Sequence, residues 1–302
     1  MRRTGILMFA AVPVAITAAA YFLVPTDSAD SPAEPPVVTA QQTSRQDAKS
    51  RAEQERSADD KVIAGLPPGL AAPAKKALAQ QLVSSAENST LNWRTTFGYI
   101  EDIGDGQGYT AGIIGFCTGT NDLRTLVERY TDEHPDNGLA KYLPALRAVD
   151  GTDSHEGLDP GFTTAWKAEA EQPAFQQAQL AERDRAYFEP AVRLAKLDGL
   201  GTLGQFIYYD AMVFHGPGID DDGFYVLRER ALREADSPSQ GGSEKAYLDI
   251  FLDIRREAMK GKRPGTDTSR IDTAQRQFLY DGNLKLTTPL RWQVYGETYK
   301  VP

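Results

Sequence analysis

The sequence predicts a mainly helical domain with one small β-sheet, and three observations lead there. Residues 73–83, 175–197, 201–214 and 244–259 combine strong helix formers with apolar residues at helical spacing. Strand character is confined to a short segment, residues 109–116, just after a glycine-rich turn. A chain of 302 residues can also bury a substantial core, and it must do so without an intrachain disulfide, because Cys117 is its single cysteine.

Taken in order, Met1-Arg-Arg-Thr and the apolar run 5–24 read as an export signal or an N-terminal membrane anchor, with Ala18-Ala-Ala as a cleavage candidate. The paired arginines hint at twin-arginine export. Residues 25–61 turn to Asp, Ser, Pro, Gln, Glu and Arg, a composition too polar to offset ordering entropy. A disordered linker is expected there, with nascent helix at 46–57. The globular domain is expected from 62 to 302.

Pro73 opens the first helix of that domain, which places Leu78, Leu82 and Val83 on one face and delivers Glu87 at its end. Gly104-Asp-Gly-Gln-Gly is a turn that glycines make accessible. The strand 109–116 then carries Thr110, Ile113, Ile114 and Phe116. Short helices are expected at 122–130 and 140–149. Pro190 falls inside the helical run 175–197 and predicts a bend. The apolar helix 201–214 encloses Asp210 among Phe206, Ile207, Met212 and Val213, so a cationic partner is needed. Helices at 223–235 and 244–259 follow, the second bearing Arg255 and Arg256. Asp267-Thr-Ser-Arg opens the last helix with capping residues. No internal repeat is present.

Lys and Arg number 33 against 42 Asp and Glu, a formal charge of −9. Such a surface disfavours nucleic acid and acidic polymers and suits neutral or cationic substrates. His134, His155 and His215 lack metal-ligand spacing, so neither a metal nor a cofactor is expected. Cys117 reads as a small buried hydrophobe, and Trp93, Trp166 and Trp292 as packing residues. Glu87, at a helix C-terminus among apolar neighbours, and Asp105, in a glycine-walled turn, occupy unlike settings. Glycosidic hydrolysis asks for such a division, one carboxyl protonated and the other ionised. Taken one at a time these residues have plainer readings: a helix-end glutamate, a turn aspartate, and for Asp122 a helix N-cap.

The motifs together narrow the choice. Ser84-Ser-Ala-Glu-Asn-Ser, Tyr99-Ile-Glu-Asp-Ile-Gly-Asp-Gly, Gly108-Tyr-Thr and Gly112-Ile-Ile-Gly-Phe-Cys resemble the actinobacterial chitosanases of glycoside hydrolase family 46. So do Lys141-Tyr-Leu-Pro-Ala-Leu, Phe175-Gln-Gln-Ala-Gln, Glu182-Arg-Asp-Arg, Gly204-Gln-Phe, Tyr208-Tyr-Asp-Ala, His215-Gly-Pro-Gly and Thr268-Ser-Arg. The resemblance runs in order from about residue 66 to the C-terminus. It implies a lysozyme-like fold, mainly α, with a small sheet in one of two lobes, a cleft between them and a bent helix joining them. It also implies endo-hydrolysis of the β-1,4 bonds of chitosan with inversion.

By the same resemblance Glu87 is the general acid, Asp105 the general base and Thr110 a holder of the attacking water. For inversion the two carboxyls stand roughly 6.5–9.5 Å apart. Asp210, Arg255 and Arg270 match a charged network that supports the acid. Chitosan carries ammonium groups, so carboxylates and aromatic rings are expected to bind it. Asp122, Glu101 and Asp102 supply charge, Asp122 first among them, while Tyr99, Tyr187 and His215 are candidate sugar contacts.

Phe97 and Gln107 depart from the Tyr and Arg common in relatives, and Lys260-Gly-Lys-Arg is basic where some relatives are acidic. Chitosan is the expected partner and a monomer the expected state. The protein is expected outside the cytoplasm, secreted or tethered through residues 5–24. The alternatives are a muramidase-like peptidoglycan hydrolase and a non-catalytic binder of cationic polysaccharide.

Overall fold

The computed structural model describes residues 40–262 and 265–302; the apolar run 5–24 lies outside them. The chain divides into two units, 1–65 and 66–302. In the first, helix α1 spans Ala40–Ala64, and its described side chains are largely exposed. The described part of the expected linker is therefore helical. Ala, Gln, Glu, Arg and Lys are strong helix formers, and a composition too polar to build a core does not prevent a solvated helix. Among the described residues no helix is long and apolar enough to cross a membrane.

The second unit is mainly helical. Helix α2, Pro73–Glu87, begins on Pro73 and buries Leu78, Leu82 and Val83, as its spacing predicts. The expected strand at 109–116 is instead two strands. Three short segments, β1 (Ile100–Asp102), β2 (Tyr109–Ala111) and β3 (Phe116–Cys117), form an antiparallel sheet in sequence order. Gly112 and Gly115, both at positive φ, turn the chain between β2 and β3 where a continuous strand was expected.

Beyond the sheet come α3 (Asp122–Glu133), α4 (Leu143–Val149) and α5 (Phe162–Glu169), the last without a clear sequence signal. Helix α6 (Pro173–Arg183) runs through a π-helical turn, Asp184–Phe188, into α7 (Glu189–Leu197). The chain stays helical across Pro190, which sits in the first turn of α7. A π turn carries an extra residue per turn and absorbs the missing N–H, so Pro190 re-registers the helix without ending it.

Helices α8 (Thr202–His215), α9 (Phe224–Glu234) and α10 (Glu244–Lys262) follow, then a second π turn, Arg270–Gln275, leading into α11 (Arg276–Tyr280). One small sheet was expected, yet a second exists. Strands β4 (Leu290–Val294) and β5 (Glu297–Val301) form a hairpin whose turn residues, Tyr295 and Gly296, both have positive φ. That pattern belongs to a tight type I′ turn.

Packing sorts these elements into two groups. Helix α3 packs on α4, α6 and β3, and α5 on β1; α8 packs on α7, α9 and α10, and β4 on the second π turn. The helical run from α6 to α7 belongs to both groups. Helix α2 is tied across them by Gln80. Its Nε2 donates to Ile113 O at 3.3 Å, while its Oε1 accepts from Arg183 Nη1 at 3.3 Å and from the Tyr209 hydroxyl at 2.9 Å. The three tryptophans are buried: Trp166 donates to Phe97 O and Trp292 to Ser85 Oγ.

Replacing Gln80 by Leu keeps its volume but strips the partners from three buried polar groups. The expected loss is about 2–4 kcal/mol, read as a lower denaturant midpoint with an unchanged slope. A midpoint within error of the wild type would show that this crosslink contributes nothing.

Candidate active site

Glu87 is the last residue of α2, and its side chain keeps 23 % of its exposure. It lines a cavity of about 500 Å³ together with Asn88, Thr95, Thr96, Gly98 and Tyr99. Behind it stands the charged network. Arg270 Nη2 donates to Glu87 Oε1 at 2.7 Å and to Asp210 Oδ1 at 2.8 Å. The other oxygen of Asp210 accepts from Arg255 Nη2 at 3.1 Å and from Gln275 Nε2 at 2.5 Å, and Arg255 Nη1 donates to Gln275 Oε1. The structure thus brings Asp210, Arg255 and Arg270 together and adds Gln275, which the sequence reading did not name.

The π turn explains the miss. Residues five apart share a face there, so Arg270 and Gln275 grip one carboxylate, a spacing that α-helical reading does not look for. Burial raises the pKa of Asp210, but Arg270 and Arg255 outweigh it and hold the carboxyl below its usual range. Burial also brings Arg255 down to about 10, with Asp210 opposing the shift. Arg270 moves the other way: Asp210 and Glu87 outweigh burial and raise it. Its guanidinium further covers the Phe214 ring at 4.8 Å, and Phe214 meets His215 edge-on.

Asp105 belongs to the turn between β1 and β2. Its Oδ1 accepts from Gln107 N–H at 3.0 Å. Gly104, Gly106 and Gly108 all have positive φ, and a Cβ on Gly108 would meet Thr118 Oγ1 at 2.3 Å. Thr110 follows on β2, opposite Glu101 on one side and Cys117 on the other, its hydroxyl 3.5 Å from Cys117 Sγ. Burial pushes the Cys117 thiol up to about 12, and the charges of Asp122 and Asp105 add to the shift. Tyr99 lines the Glu87 cavity, and burial raises its hydroxyl with help from Glu101 and Cys117.

The remaining candidates separate. Tyr99 donates to Glu101 Oε2 at 3.4 Å, and Glu101 is exposed. Asp102 Oδ1 accepts from Gly104 N–H, and its Oδ2 is 3.4 Å from His155 Nε2, so its carboxylate already serves the Asp105 turn. Both oxygens of Asp122 are taken. Oδ1 accepts from the N–H groups of Cys117 and Leu123 and from Thr120, and Oδ2 from the Tyr187 hydroxyl at 2.6 Å. Burial still raises Asp122 above the usual carboxylate range. Its N-cap reading is also revised, since the cap is Asn121 and Asp122 is the first helical residue.

The Tyr187 ring is buried edge-on to Phe116 and its hydroxyl is bound by Asp122. His215 is buried at the end of α8. Phe97 lies in the core, where its carbonyl accepts from Trp166 and Gln179. Tyr295, at the β4–β5 turn, escaped the sequence reading. It is 47 % exposed, and its N–H donates to Ser269 Oγ beside Arg270. Among the described residues no cluster of three or more His, Cys, Asp or Glu could hold a metal ion.

Asp210→Asn leaves Arg255 and Arg270 without their shared anion and should cost about 3–5 kcal/mol at neutral pH. Because the folded-state pKa is depressed, this stabilisation is present above the unfolded value of about 3.9 and is lost as pH falls through the lower folded value. Denaturant titrations should therefore show the gap between wild type and variant closing in that acid range; a gap independent of pH would contradict the ion network. Native Cys117 should resist iodoacetamide at mildly alkaline pH while the urea-unfolded chain is alkylated readily. Rapid labelling of the native protein would refute its burial.

The profile of Glycosyl hydrolase family 46 matches residues 81–290. A chitosanase of Streptomyces sp. (strain N174) is 56 % identical over 233 residues, 77 % of this chain and 84 % of its own length. A chitosanase of Nocardioides sp. (strain N106) is 54 % identical over the same shares of the two chains. Among solved structures, one described as a chitosanase complex superposes with a TM-score of 0.77 at 52 % identity, covering 78 % of this chain and 100 % of that one. The family 46 chitosanase of Gynuella sunshinyii with chitotetraose gives 0.70 at 32 % identity, covering 75 % and 97 %. The helical fold with its small antiparallel sheet and these relatives agree: the chain belongs to glycosyl hydrolase family 46.

Proposed function

We propose that this protein is an endo-chitosanase that hydrolyses β-1,4 bonds with inversion, Glu87 acting as general acid and Asp105 as general base. The observation that carries the reading is the contact of Glu87 with Arg270 at the wall of the cavity. When Glu87 protonates the glycosidic oxygen, the bond from that oxygen to the anomeric carbon breaks and Glu87 is left as a carboxylate. Arg270 is already in place to stabilise that charge, and Asp210 fixes Arg270. On the opposite face of the sugar, Asp105 removes a proton from water as its oxygen bonds to the anomeric carbon, and the Thr110 hydroxyl orients that water.

The binding groups suit an ammonium-bearing polymer. Glu101 is exposed beside Thr110 in the sheet, and Tyr99 lines the cavity. Asp122 and Asp102 contribute negative potential while remaining bound within the protein, and His215 stands at the end of α8. The basic start and apolar run 5–24 support export of the enzyme, secreted or membrane-tethered. N-terminal sequencing of the protein from culture fluid and from membranes distinguishes these two fates.

Glu87→Gln and Asp105→Asn should each lower kcat on soluble chitosan by about 10²–10⁴-fold, with the fold retained by circular dichroism. Full activity in either variant removes that residue from its role. Anomer-resolved NMR during turnover should show the α-anomer forming first; a β-anomer product would mean retention.

A further inference from the structure

We propose that His155 is a positioning residue for the general base: it clamps both ends of the turn that carries Asp105. The inference rests on the reading of Asp105 given above. That turn, residues 103–108, contains three glycines at positive φ, and Gln107 N–H to Asp105 Oδ1 is a bond within the turn itself. Glycines bring backbone freedom, so a carboxylate mounted on them needs restraint from outside the turn.

The C-terminal foot of the turn has backbone restraint. Gln107 O accepts from Gly119 N–H at 3.0 Å, Gly119 O from Gly151 N–H at 3.1 Å, and Thr118 Oγ1 from Tyr109 N–H at 2.9 Å. His155, in the segment between α4 and α5, adds a side-chain clamp that reaches both feet. Its ring lies flat on Tyr109, the first residue of β2, with centroids 3.9 Å apart and planes 10° from parallel. Its Nε2 is buried, makes no hydrogen bond, and stands 3.4 Å from Oδ2 of Asp102, the last residue of β1. Its Nδ1 is 3.6 Å from Asp159 Oδ2, while Asp159 Oδ1 accepts from the Tyr109 hydroxyl at 2.7 Å.

The imidazole is thus faced by a carboxylate from β1, a carboxylate from its own segment and a phenol ring from β2. Four side chains close a ring around the base of the turn. Asp102 also accepts from Gly104 N–H, so a shift of Asp102 passes directly into the backbone next to Asp105. Glu87 and the cavity beside it belong to other elements. Loosening this clamp therefore displaces the base and spares Glu87 and the residues lining its cavity.

The test uses His155→Phe, which keeps a flat ring on Tyr109 and removes both nitrogens. Its kcat should fall about tenfold or more with KM within about twofold, since a displacement of order 1 Å at a reacting group can cost about 10²-fold. In an Asp105→Asn background the same substitution should cause no further loss, because His155 acts through Asp105. A kcat within about twofold of wild type, or losses that multiply in the double variant, would overturn the proposal. If Asp105→Asn itself keeps full kcat, the base assignment fails and takes this inference with it; if Asp105→Asn loses activity and His155→Phe does not, this inference alone fails. Should His155→Phe not fold, Asp102→Asn carries the test: it keeps the shape of Asp102 and weakens the hold of His155, so an unchanged kcat overturns the proposal.

Discussion

Asp210 is 1 % exposed on an apolar helix, and the placement of Glu87 depends on how that charge is matched. A carboxylate so buried is tolerable only when paired and hydrogen-bonded. Arg255, Gln275 and Arg270 saturate it, and the last of these reaches out of the core to Glu87. Glu87 is therefore held by a guanidinium that is itself held by the interior. Three separate elements meet there, α8, α10 and the second π turn, so the position of Glu87 is set by the packing of a whole group of helices.

Asp105 is held in another way. Asp105 rides on a glycine turn between strands of three residues, a place with little intrinsic stiffness. The restraints on that turn include side chains and a backbone N–H of segments outside it: Thr118, Gly119, His155 and Asp159. A rigid Glu87 and a tethered Asp105 suit the two tasks of the proposed mechanism, in which the acid meets an oxygen fixed by the polymer and the base meets a water molecule.

Gln80 and the helical run from α6 through α7 join the two groups of elements. Under the proposed function Asp122 serves both architecture and binding. Its carboxylate fastens β3 to the start of α3 and to Tyr187 in the first π turn, which keeps negative charge beside the sheet at the cost of burial. A fully hydrogen-bonded carboxylate acts on a cationic sugar chiefly through its field.

Much of this was legible in the residues. Pro73 and the 78, 82, 83 spacing specify α2 and bring Glu87 to its end, because helix periodicity and capping are local properties. The need of Asp210 for a cation, the glycine turn around Asp105 and the burial of the tryptophans likewise follow from short-range chemistry. Tertiary structure decided which guanidinium reached Glu87, that Gln275 joined the network through a π turn, and that Tyr187 spends its hydroxyl on Asp122. It also decided that His155, one of three histidines with no sequence pattern, lies between two carboxylates at the foot of the Asp105 turn. These contacts join residues tens to hundreds of positions apart, and whether a polar atom finds its partner across such a gap depends on how helices and strands pack.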